Sequence, residues 1–290
     1  MRRLGVPVLA VVLLTGVVAL AAGPAGAGRS ASPTRVGAGA PPKFPASMAA
    51  IGDSITQAYD SLGPAGFLMS EPQLSWATGY ASAKKVNSQY LRLLAVDPKI
   101  KGHEHNDSVV GAKVNALLAQ VQAAIDQKAQ YVTILMGAND ACTKTISAMT
   151  SISTFTKTFK SDLATLMKGL PKGAHVFVTS IPNLLDLWTL LHNNPSAEAA
   201  WSFGICQSML AKTNTPADRA KVLSREKAFN KAMAAACKRY SDCRWDDSAV
   251  FDFNFTAADI NTLDYFHPSV IGQNRLASIT WAKAWWPRSK

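Results

Sequence analysis

Long hydrophobic runs are almost absent from this chain of 290 residues, and residues 4–22 are the one run that approaches the thickness of a bilayer. No C-x-x-C pair occurs, and the other ligand spacings typical of zinc sites are missing as well. The sequence also contains no internal repeat. These absences exclude a protein with several membrane spans and a repeat protein, and they argue against a zinc-binding module.

Acidic residues are scarce relative to basic ones, with 19 Asp and Glu against 30 Lys and Arg, and the formal net charge is +11. The basic residues are scattered, and no basic run is interleaved with aromatic residues as in a nucleic-acid groove. We therefore expect no nucleic-acid partner. The positive charge favours solubility and a loose attraction to anionic lipid or cell-wall surfaces, and we expect a monomer.

The N-terminal segment is typical of an export signal. An Arg-Arg pair precedes the apolar run and an A-x-A cleavage site follows it, so residues 1–27 are predicted to be a signal peptide. An uncleaved membrane anchor is the alternative. Residues 28–46, rich in Gly, Ala, Pro and Ser, are predicted to be a flexible leader. Residues 47–290 then form one domain of a secreted, extracellular protein.

The four cysteines are few but even in number, as expected of an exported protein with two disulfides. Cys237 and Cys243 are close in sequence at the end of a predicted helix, which favours a bond between them. The remaining pair, Cys142 and Cys206, would then fasten an apolar segment beside the loop that contains Asn139. Two other pairings are possible for four cysteines. We expect no metal site.

Hydrophobic periodicity predicts alternating strands and helices. Short apolar runs of the buried parallel kind predict strands at residues 49–52, 109–112, 131–136, 175–182 and 250–253. Apolar residues at helical spacing predict helices at residues 80–95, 114–125, 151–170 and 217–240 and after residue 264. This alternation predicts an α/β fold, a three-layer α/β/α sandwich around a parallel five-stranded sheet.

A cluster of polar residues at 103–107, His-Glu-His-Asn-Asp, is predicted to be a turn before the second strand. A metal site is the alternative. The two histidines, however, lack the i, i+4 spacing that aligns ligands on one face of a helix, so the turn is preferred.

The stretch GDSIT at residues 52–56 ends the first predicted strand and places Ser54 just beyond it. Residues in that position lie where open α/β sheets bind ligands. A purely structural turn that caps a helix is the alternative. We assign Asp53 to holding this loop through backbone N–H groups, and Asp140 to the same role after the third strand.

Further positions complete a candidate acyl-transfer site. His267 can remove the proton of Ser54, and Asp264, in the same loop, can orient His267. The backbone N–H groups of Ser54 and Gly111 and the side-chain amide of Asn139 are suitable donors to an oxyanion. No G-x-S-x-G sequence occurs, which argues against the elbow of the α/β-hydrolases.

These blocks resemble those of the SGNH hydrolases, also called the GDSL esterase/lipase family. GDSIT is similar to the first block, with Ile55 in place of the usual Leu. The other blocks are matched by Gly111, by the G-x-N-D of residues 137–140 and by the D-x-x-H of residues 264–267. The resemblance extends over about residues 48–286. It implies a flavodoxin-like sheet and hydrolysis of carboxylic esters without a cofactor. The implied catalytic triad consists of Ser54, His267 and Asp264.

The apolar segment at residues 183–215 indicates a substrate class. Its leucines and Trp188 surround more than one helix face, so Leu187, Trp188 and Leu191 are predicted to bind an acyl chain. Ordinary core packing is the alternative. We expect a lipase- or phospholipase-like serine esterase that acts on acyl esters or lipids. The alternatives are a carbohydrate O-acetylesterase and a non-catalytic binding protein on the same scaffold.

Overall fold

The computed structural model describes residues 43–286. The predicted signal peptide and most of the predicted leader lie outside the described residues. Phe44 packs against Trp286 with ring centroids 6.3 Å apart, and the Ala46 N–H donates to Gln130 at 2.8 Å. The last residues of the predicted leader therefore contact the domain. Within the described part of the chain, no helix has the length and apolar character needed to cross a membrane.

Five parallel strands form the central sheet, as the sequence predicts. They are β1 (Met48–Gly52), β2 (Glu104–Asn106), β3 (Tyr131–Leu135), β4 (His175–Val178) and β5 (Cys243–Trp245). Their order across the sheet is β2-β1-β3-β4-β5, the flavodoxin-like order. The order reverses between β1 and β3, and open α/β sheets bind their ligands beyond the strand ends at such a point.

Nine α-helices accompany these strands in residues 43–286. They are α1 (Gln89–Leu94), α2 (Leu117–Asp126), α3 (Ala138–Ala141), α4 (Ile152–Gly169), α5 (Leu184–Leu191), α6 (Pro195–Ser202), α7 (Gln207–Leu210), α8 (Pro216–Cys237) and α9 (Val270–Lys283). Short 3₁₀ helices occupy Gly63–Gly66, Pro72–Leu74, Pro98–Ile100, Val114–Ala116, Ile146–Ala148 and Ala257–Asp259.

The helices form two layers with the sheet between them. In one layer, α2, α4 and α8 pack side by side, and Phe155 of α4 stacks on Phe229 of α8 with ring centroids 4.0 Å apart. In the other layer, Gln89 of α1 donates to Thr280 of α9 at 2.9 Å and accepts the hydroxyl proton of Tyr131 from β3. The predicted three-layer sandwich is confirmed.

The second strand lies earlier than the sequence predicts. Residues 109–112 form a turn in which Val109 and Val110 are 50% and 43% exposed. The strand is β2, inside the segment that is predicted as a polar turn. Since β2 is a half-buried edge strand, it tolerates polar side chains and needs no apolar run.

The fifth strand is also earlier than predicted, at β5 rather than at residues 250–253. It forms the opposite edge of the sheet and is half-buried. Just after β5, the Asp246 carboxylate accepts the N–H groups of Ser248 and Val250, which turns the chain away from the sheet. Val250 is buried, but it belongs to this turn and not to a strand.

The first predicted helix is much shorter than expected, because only α1 is helical within residues 80–95. Ser88 caps α1 by accepting the Leu91 N–H at 3.0 Å, and it donates to the Gly79 carbonyl at 2.6 Å. The residues before Ser88 are therefore held in an irregular loop. The apolar segment 183–215 contains three short helices, α5, α6 and α7. The other predicted elements correspond to β1, β3, β4, α2, α4, α8 and α9.

Both predicted disulfides are present, so all four cysteines are paired. Cys237 and Cys243 join the end of α8 to β5 across a sequence separation of 6. Cys142 and Cys206 join the segment after α3 to the start of α7 across a separation of 64. The second bond closes the longer loop, and the chain-entropy view gives such a bond the larger effect on stability.

The end of β1 is a close contact between backbones. A Cβ atom on Gly52 would lie 2.2 Å from the carbonyl oxygen of Leu135 in β3, so a side chain has no room there. The buried side chain of Gln120 in α2 accepts the Gly52 N–H at 2.7 Å and donates to the Gly52 carbonyl at 3.0 Å. One side chain therefore satisfies both polar groups of the residue at which β1 ends.

We expect Gln120→Leu to lower the free energy of unfolding by about 1–3 kcal/mol, because it removes the side-chain acceptor of the buried Gly52 N–H and leaves the Gly52 carbonyl with only the Val109 N–H at 3.2 Å. Chemical denaturation measures the difference. The matched control is Gln122→Leu on the same helix, where the side chain is exposed and donates to Asp126. This control should stay within about 0.5 kcal/mol of the wild type. Equal stabilities of the two variants would contradict the role of Gln120.

Candidate active site

Ser54 lies in a tight turn directly after β1. The Tyr59 N–H donates to the Ser54 carbonyl at 3.0 Å, and the Thr56 N–H donates to the Asp53 carbonyl at 3.1 Å. These bonds turn the chain immediately beyond the sheet. Ser54 is 5% exposed, and it sits at the strand end where its hydroxyl can meet a ligand.

A buried glutamine attaches this turn to α9. Gln273 donates to the Ile55 carbonyl at 2.8 Å and accepts the Trp76 N–H at 2.9 Å. The indole N–H of Trp76 in turn donates to Thr56 at 3.3 Å. The helix that follows the C-terminal loop and the loop that follows β1 are therefore held in one arrangement.

Ser54, His267 and Asp264 form a continuous hydrogen-bonded chain. Nε2 of His267 lies 2.8 Å from Oγ of Ser54, and Nδ1 of His267 is hydrogen-bonded to Oδ2 of Asp264. The side chains of His267 and Asp264 are 11% and 12% exposed. The structure thus brings together the three residues of the predicted triad. An imidazole placed in this way can accept a proton from the serine hydroxyl.

The other oxygen of Asp264 closes the turn that carries His267. Oδ1 accepts the N–H groups of Phe266 and His267 at 2.8 and 3.0 Å and the side-chain amide of Asn261 at 2.8 Å. Burial would raise the pKa of Asp264, but the hydrogen bonds and charge of His267 and the backbone N–H groups outweigh it. The pKa of Asp264 therefore lies below its ordinary value, and the carboxylate is ionised beside the imidazole.

Two aromatic rings enclose the imidazole. Tyr59 lies edge-on to His267 with ring centroids 5.2 Å apart, and Phe266 does so at 5.0 Å. Edge-on packing of this kind restricts rotation of the ring. The orientation of His267 therefore depends on packing as well as on Asp264.

Asn139 lies in α3, directly after β3, and Gly111 lies in the loop after β2. The side-chain amide of Asn139 donates to the Ala112 carbonyl at 3.1 Å, and Asp140 accepts the Val114 N–H at 2.9 Å. Gly111 has a φ of 74°, a conformation that favours glycine. The structure therefore brings the predicted side-chain oxyanion donor next to the loop that carries the predicted backbone donor.

Asp53 is fully buried beside Ser54. Its Oδ1 accepts the Ile55 N–H at 3.0 Å, while its Oδ2 has no hydrogen-bond partner within residues 43–286. Burial raises the pKa of Asp53 to about 7, although the hydrogen bond from Ile55 and the charge of His267 oppose the shift. Burial also raises the pKa of Asp140, against its hydrogen bonds.

The segment 183–215 is fastened to both sides of the site. Cys142, near Asn139, is bonded to Cys206, and the Ser208 hydroxyl donates to the carbonyl of the residue before Cys142 at 2.7 Å. On the other side, the indole N–H of Trp201 donates to the Tyr265 carbonyl at 3.1 Å. This segment therefore connects the loop of the asparagine to the loop of the histidine.

A narrow apolar pocket opens beside these loops and is partly open to solvent. Ile55 follows the serine, Ala138 precedes the asparagine, and Phe266 and Pro268 flank the histidine. The remaining lining residues are Pro182, Asn183, Leu184, Asp186, Leu187, Leu190, Phe255, Ile260 and Leu276. Apart from one asparagine and one aspartate, the lining offers carbon atoms to a ligand.

Of the three residues predicted to bind substrate, Leu187 lines this pocket, whereas Trp188 and Leu191 are not among its lining residues. The Arg219 guanidinium lies 4.0 Å from the centroid of the Trp188 ring, on a different side of α5. Leu191 is 5% exposed and belongs to the core. Leu190 shares a face with Leu187 because it lies three residues later, and it lines the pocket instead.

Asp60 is a site residue that the sequence analysis misses. It is 1% exposed, and one of its carboxylate oxygens lies within 4.8 Å of a carboxylate oxygen of Asp264 and a ring nitrogen of His267. The one indication of Asp60 in the sequence is the composition of the segment around it. Residues 44–83 contain no Lys or Arg, so an acidic residue in this stretch has no nearby basic residue in sequence.

Comparison with known proteins identifies one matching family. The sequence profile of the GDSL-like Lipase/Acylhydrolase family matches residues 48–279, which include every site residue described above. Among solved structures, TesA is 16% identical with a TM-score of 0.49, and the match covers 82% of this chain and 97% of that chain. An acetyl xylan esterase, AlAXEase, is also 16% identical with a TM-score of 0.49, covering 81% and 98%. The psychrotrophic esterase EstA from Pseudoalteromonas sp. is 11% identical with a TM-score of 0.40, covering 81% and 95%. A search of curated proteins gave no match.

We expect Asp53 to make stability depend on pH. An acid whose pKa is raised in the folded state binds its proton more tightly there than in the unfolded chain. Its contribution to stability is complete below 3.8, its ordinary pKa, and is lost as the pH rises through about 7. In Asp53→Asn, which keeps the acceptor for the Ile55 N–H, this loss should be absent.

Denaturation of wild type and Asp53→Asn at about pH 5 and about pH 8 tests this expectation. The difference in unfolding free energy should shift in favour of the variant at the higher pH. The exposed Asp252→Asn is the control and should show no such shift. A difference between Asp53→Asn and wild type that is the same at both pH values would be inconsistent with the raised pKa of Asp53.

Proposed function

Because this chain belongs to the GDSL-like lipase/acylhydrolase family and is an ester hydrolase, we propose that it cleaves acyl esters by nucleophilic catalysis at Ser54. The observation that carries the proposal is the chain of hydrogen bonds from Ser54 through His267 to Asp264. This is the order of groups that activates a serine hydroxyl.

In the proposed reaction, Oγ of Ser54 forms a bond to the ester carbonyl carbon while Nε2 of His267 takes the hydroxyl proton. The tetrahedral intermediate then collapses, and the alcohol leaves with the proton from His267. Water, deprotonated by His267, then attacks the acyl carbon of the acyl-enzyme. The bond from this carbon to Oγ of Ser54 breaks, His267 returns the proton to Oγ, and the acid is released. Asp264 stays ionised throughout and stabilises the imidazolium.

The oxyanion of the intermediate requires donors that are not already used. Within residues 43–286, the backbone N–H groups of Ser54 and Gly111 donate to no protein acceptor. Asn139 has a second amide hydrogen besides the one it donates to the Ala112 carbonyl. These groups are the proposed oxyanion hole, and their freedom to donate supports the assignment.

The pocket favours an apolar acyl chain over a sugar. A sugar ring needs several hydrogen-bonding partners, whereas Leu187, Leu190 and their neighbours offer mainly carbon atoms. Each methylene buried there would contribute about 0.8 kcal/mol. We therefore propose a lipase- or phospholipase-like substrate and retain a carbohydrate O-acetylesterase as the alternative.

The surface near the nucleophile also favours a lipid substrate. All three acidic residues of the segment 44–83 are 4% exposed or less, so this segment contributes no charge to the surface. It does expose Phe67, Leu68 and Met69, each at about 60%. An uncharged surface with exposed apolar side chains is suited to contact with aggregated esters.

We further propose that the protein acts outside the cell as a monomer. Two disulfides are typical of an oxidising compartment, and they support export. The net charge of +11 supports a loose attraction to anionic lipid or cell-wall surfaces, which salt would weaken.

Ser54→Ala should lower kcat for a short-chain p-nitrophenyl ester by at least about a thousandfold, because the acyl-enzyme can no longer form. The exposed Ser70→Ala is the control and should keep wild-type kcat. An organophosphonate should label the wild type on the peptide that contains Ser54. Near wild-type kcat in Ser54→Ala would disprove the assignment of the nucleophile and favour the non-catalytic alternative for this site.

Filling the pocket should shorten the preferred acyl chain. Leu187→Trp should lower kcat/KM for long-chain esters by about tenfold or more and leave acetyl esters almost unchanged, because methylenes lose their apolar contacts. Thr189→Trp places the same bulk on an exposed position of α5 and is the matched control. A wild-type preference for acetyl esters that neither substitution alters would instead favour the carbohydrate O-acetylesterase.

A further inference from the structure

We propose that Asp60 is a positioning residue of this site, a second carboxylate that stabilises the protonated form of His267 together with Asp264. The inference rests on the proposed function, since it assumes that His267 becomes charged during the reaction. Asp60 would act through His267 and would not touch the substrate.

The position of the Asp60 carboxylate is the first support. Single ligand atoms of Asp60, Asp264 and His267 all lie within 4.8 Å of one another. Asp60 is 1% exposed, so little water lies between these groups to weaken their interaction. A carboxylate at this separation attracts an imidazolium and has a much weaker interaction with a neutral imidazole.

The hydrogen bonding of Asp60 is the second support. Oδ1 accepts the Met69 N–H at 3.3 Å, while Oδ2 is buried and has no hydrogen-bond partner within residues 43–286. A buried carboxylate oxygen without a partner is costly. The segment 44–83 supplies no Lys or Arg to balance it, and no salt bridge of the described residues includes Asp60. The positive charge that develops on His267 is therefore a natural partner for this group.

The backbone conformation of Asp60 is strained, and hydrogen bonds of its loop hold it. Its φ is 56°, in the left-handed region that non-glycine residues rarely adopt. The Asp60 N–H donates to the Met69 carbonyl at 2.9 Å, and the Gly63 N–H donates to the Asp60 carbonyl at 2.8 Å. Glu71 stabilises the same loop by accepting the Leu62 N–H at 2.8 Å. Strain of this kind persists where surrounding contacts fix a functional geometry.

The groups that face Asp60 set the pH dependence. Burial raises the pKa of Asp60, the charge of Asp264 raises it further, and the charge of His267 lowers it. Tyr59 and Glu71 also interact with Asp60 electrostatically, and both have raised pKa values because of burial. Asp53, in the turn after β1, also interacts electrostatically with His267. Among these acidic groups, Asp60 and Asp264 place a carboxylate oxygen within 4.8 Å of a ring nitrogen of His267.

Asp60→Asn tests the proposal, because the amide keeps an oxygen for the Met69 N–H and removes the charge. We expect kcat to fall by about tenfold, because the imidazolium loses the attraction of one partly screened charge a few ångströms away. KM should stay almost unchanged. The acid limb of the kcat/KM profile should move to lower pH, because His267 without this neighbour loses its proton more readily.

Glu71→Gln is the matched control. Glu71 is 4% exposed, belongs to the same loop and keeps its acceptor for the Leu62 N–H when it becomes Gln. It lies outside the cluster formed by Asp60, Asp264 and His267. We expect Glu71→Gln to leave kcat and the acid limb near their wild-type values, even if the stability of the loop changes.

A measurement without turnover separates this proposal from the proposed function. In the Ser54→Ala background, the pKa of His267 is read from the NMR signals of its ring protons. Asp60→Asn should lower that pKa and Glu71→Gln should not. An unchanged His267 pKa and an unmoved acid limb in Asp60→Asn would overturn the proposal and leave Asp60 a structural role. A lowered His267 pKa in a protein that hydrolyses no ester would instead leave the Asp60–His267 interaction standing and reject the proposed function.

Discussion

The contact between Gly52 and the Leu135 carbonyl is the constraint on which the site depends. The two residues are partners in the β1–β3 register, and a Cβ atom at Gly52 would meet the carbonyl oxygen at 2.2 Å. β1 and β3 can therefore approach fully to their last residues. Ser54 lies in the turn after β1 and Asn139 lies in α3 after β3, so the pairing of the two strands places both residues beyond the same edge of the sheet.

The loop that carries Asp264 and His267 comes from the C-terminal part of the chain and is held beside the ends of β1 and β3. Gln273 ties α9 to the turn after β1, and Trp201 ties α6 to the loop of His267. The disulfide between Cys142 and Cys206 connects that same segment to the loop of Asn139. The wall of the pocket and the reacting groups are therefore parts of one connected set of loops.

Sequence reasoning could predict the interior of this fold better than its edges. β1, β3 and β4 are buried on both faces and appear as apolar runs, whereas β2 and β5 are half-buried edge strands whose polar residues resemble turns. Ser54 and Asn139 could be placed from the sequence because each follows one of these recognisable apolar strands. Periodicity shows that α5 has two apolar faces but not which of them lines the pocket, so the position of Trp188 outside the lining could not be predicted. Asp60 has no spacing partner in sequence, and its relation to His267 exists only in the folded chain.

The turn at Asp264 has a consequence for how the enzyme loses activity on heating. One carboxylate closes the turn with Oδ1 and holds the imidazole with Oδ2, so the turn cannot open without releasing the base. Short half-buried turns open more readily than the strands of a core. On the proposed mechanism, activity should therefore be lost at a lower temperature than the spectroscopic signals of the sheet, because it depends on a few residues of this turn.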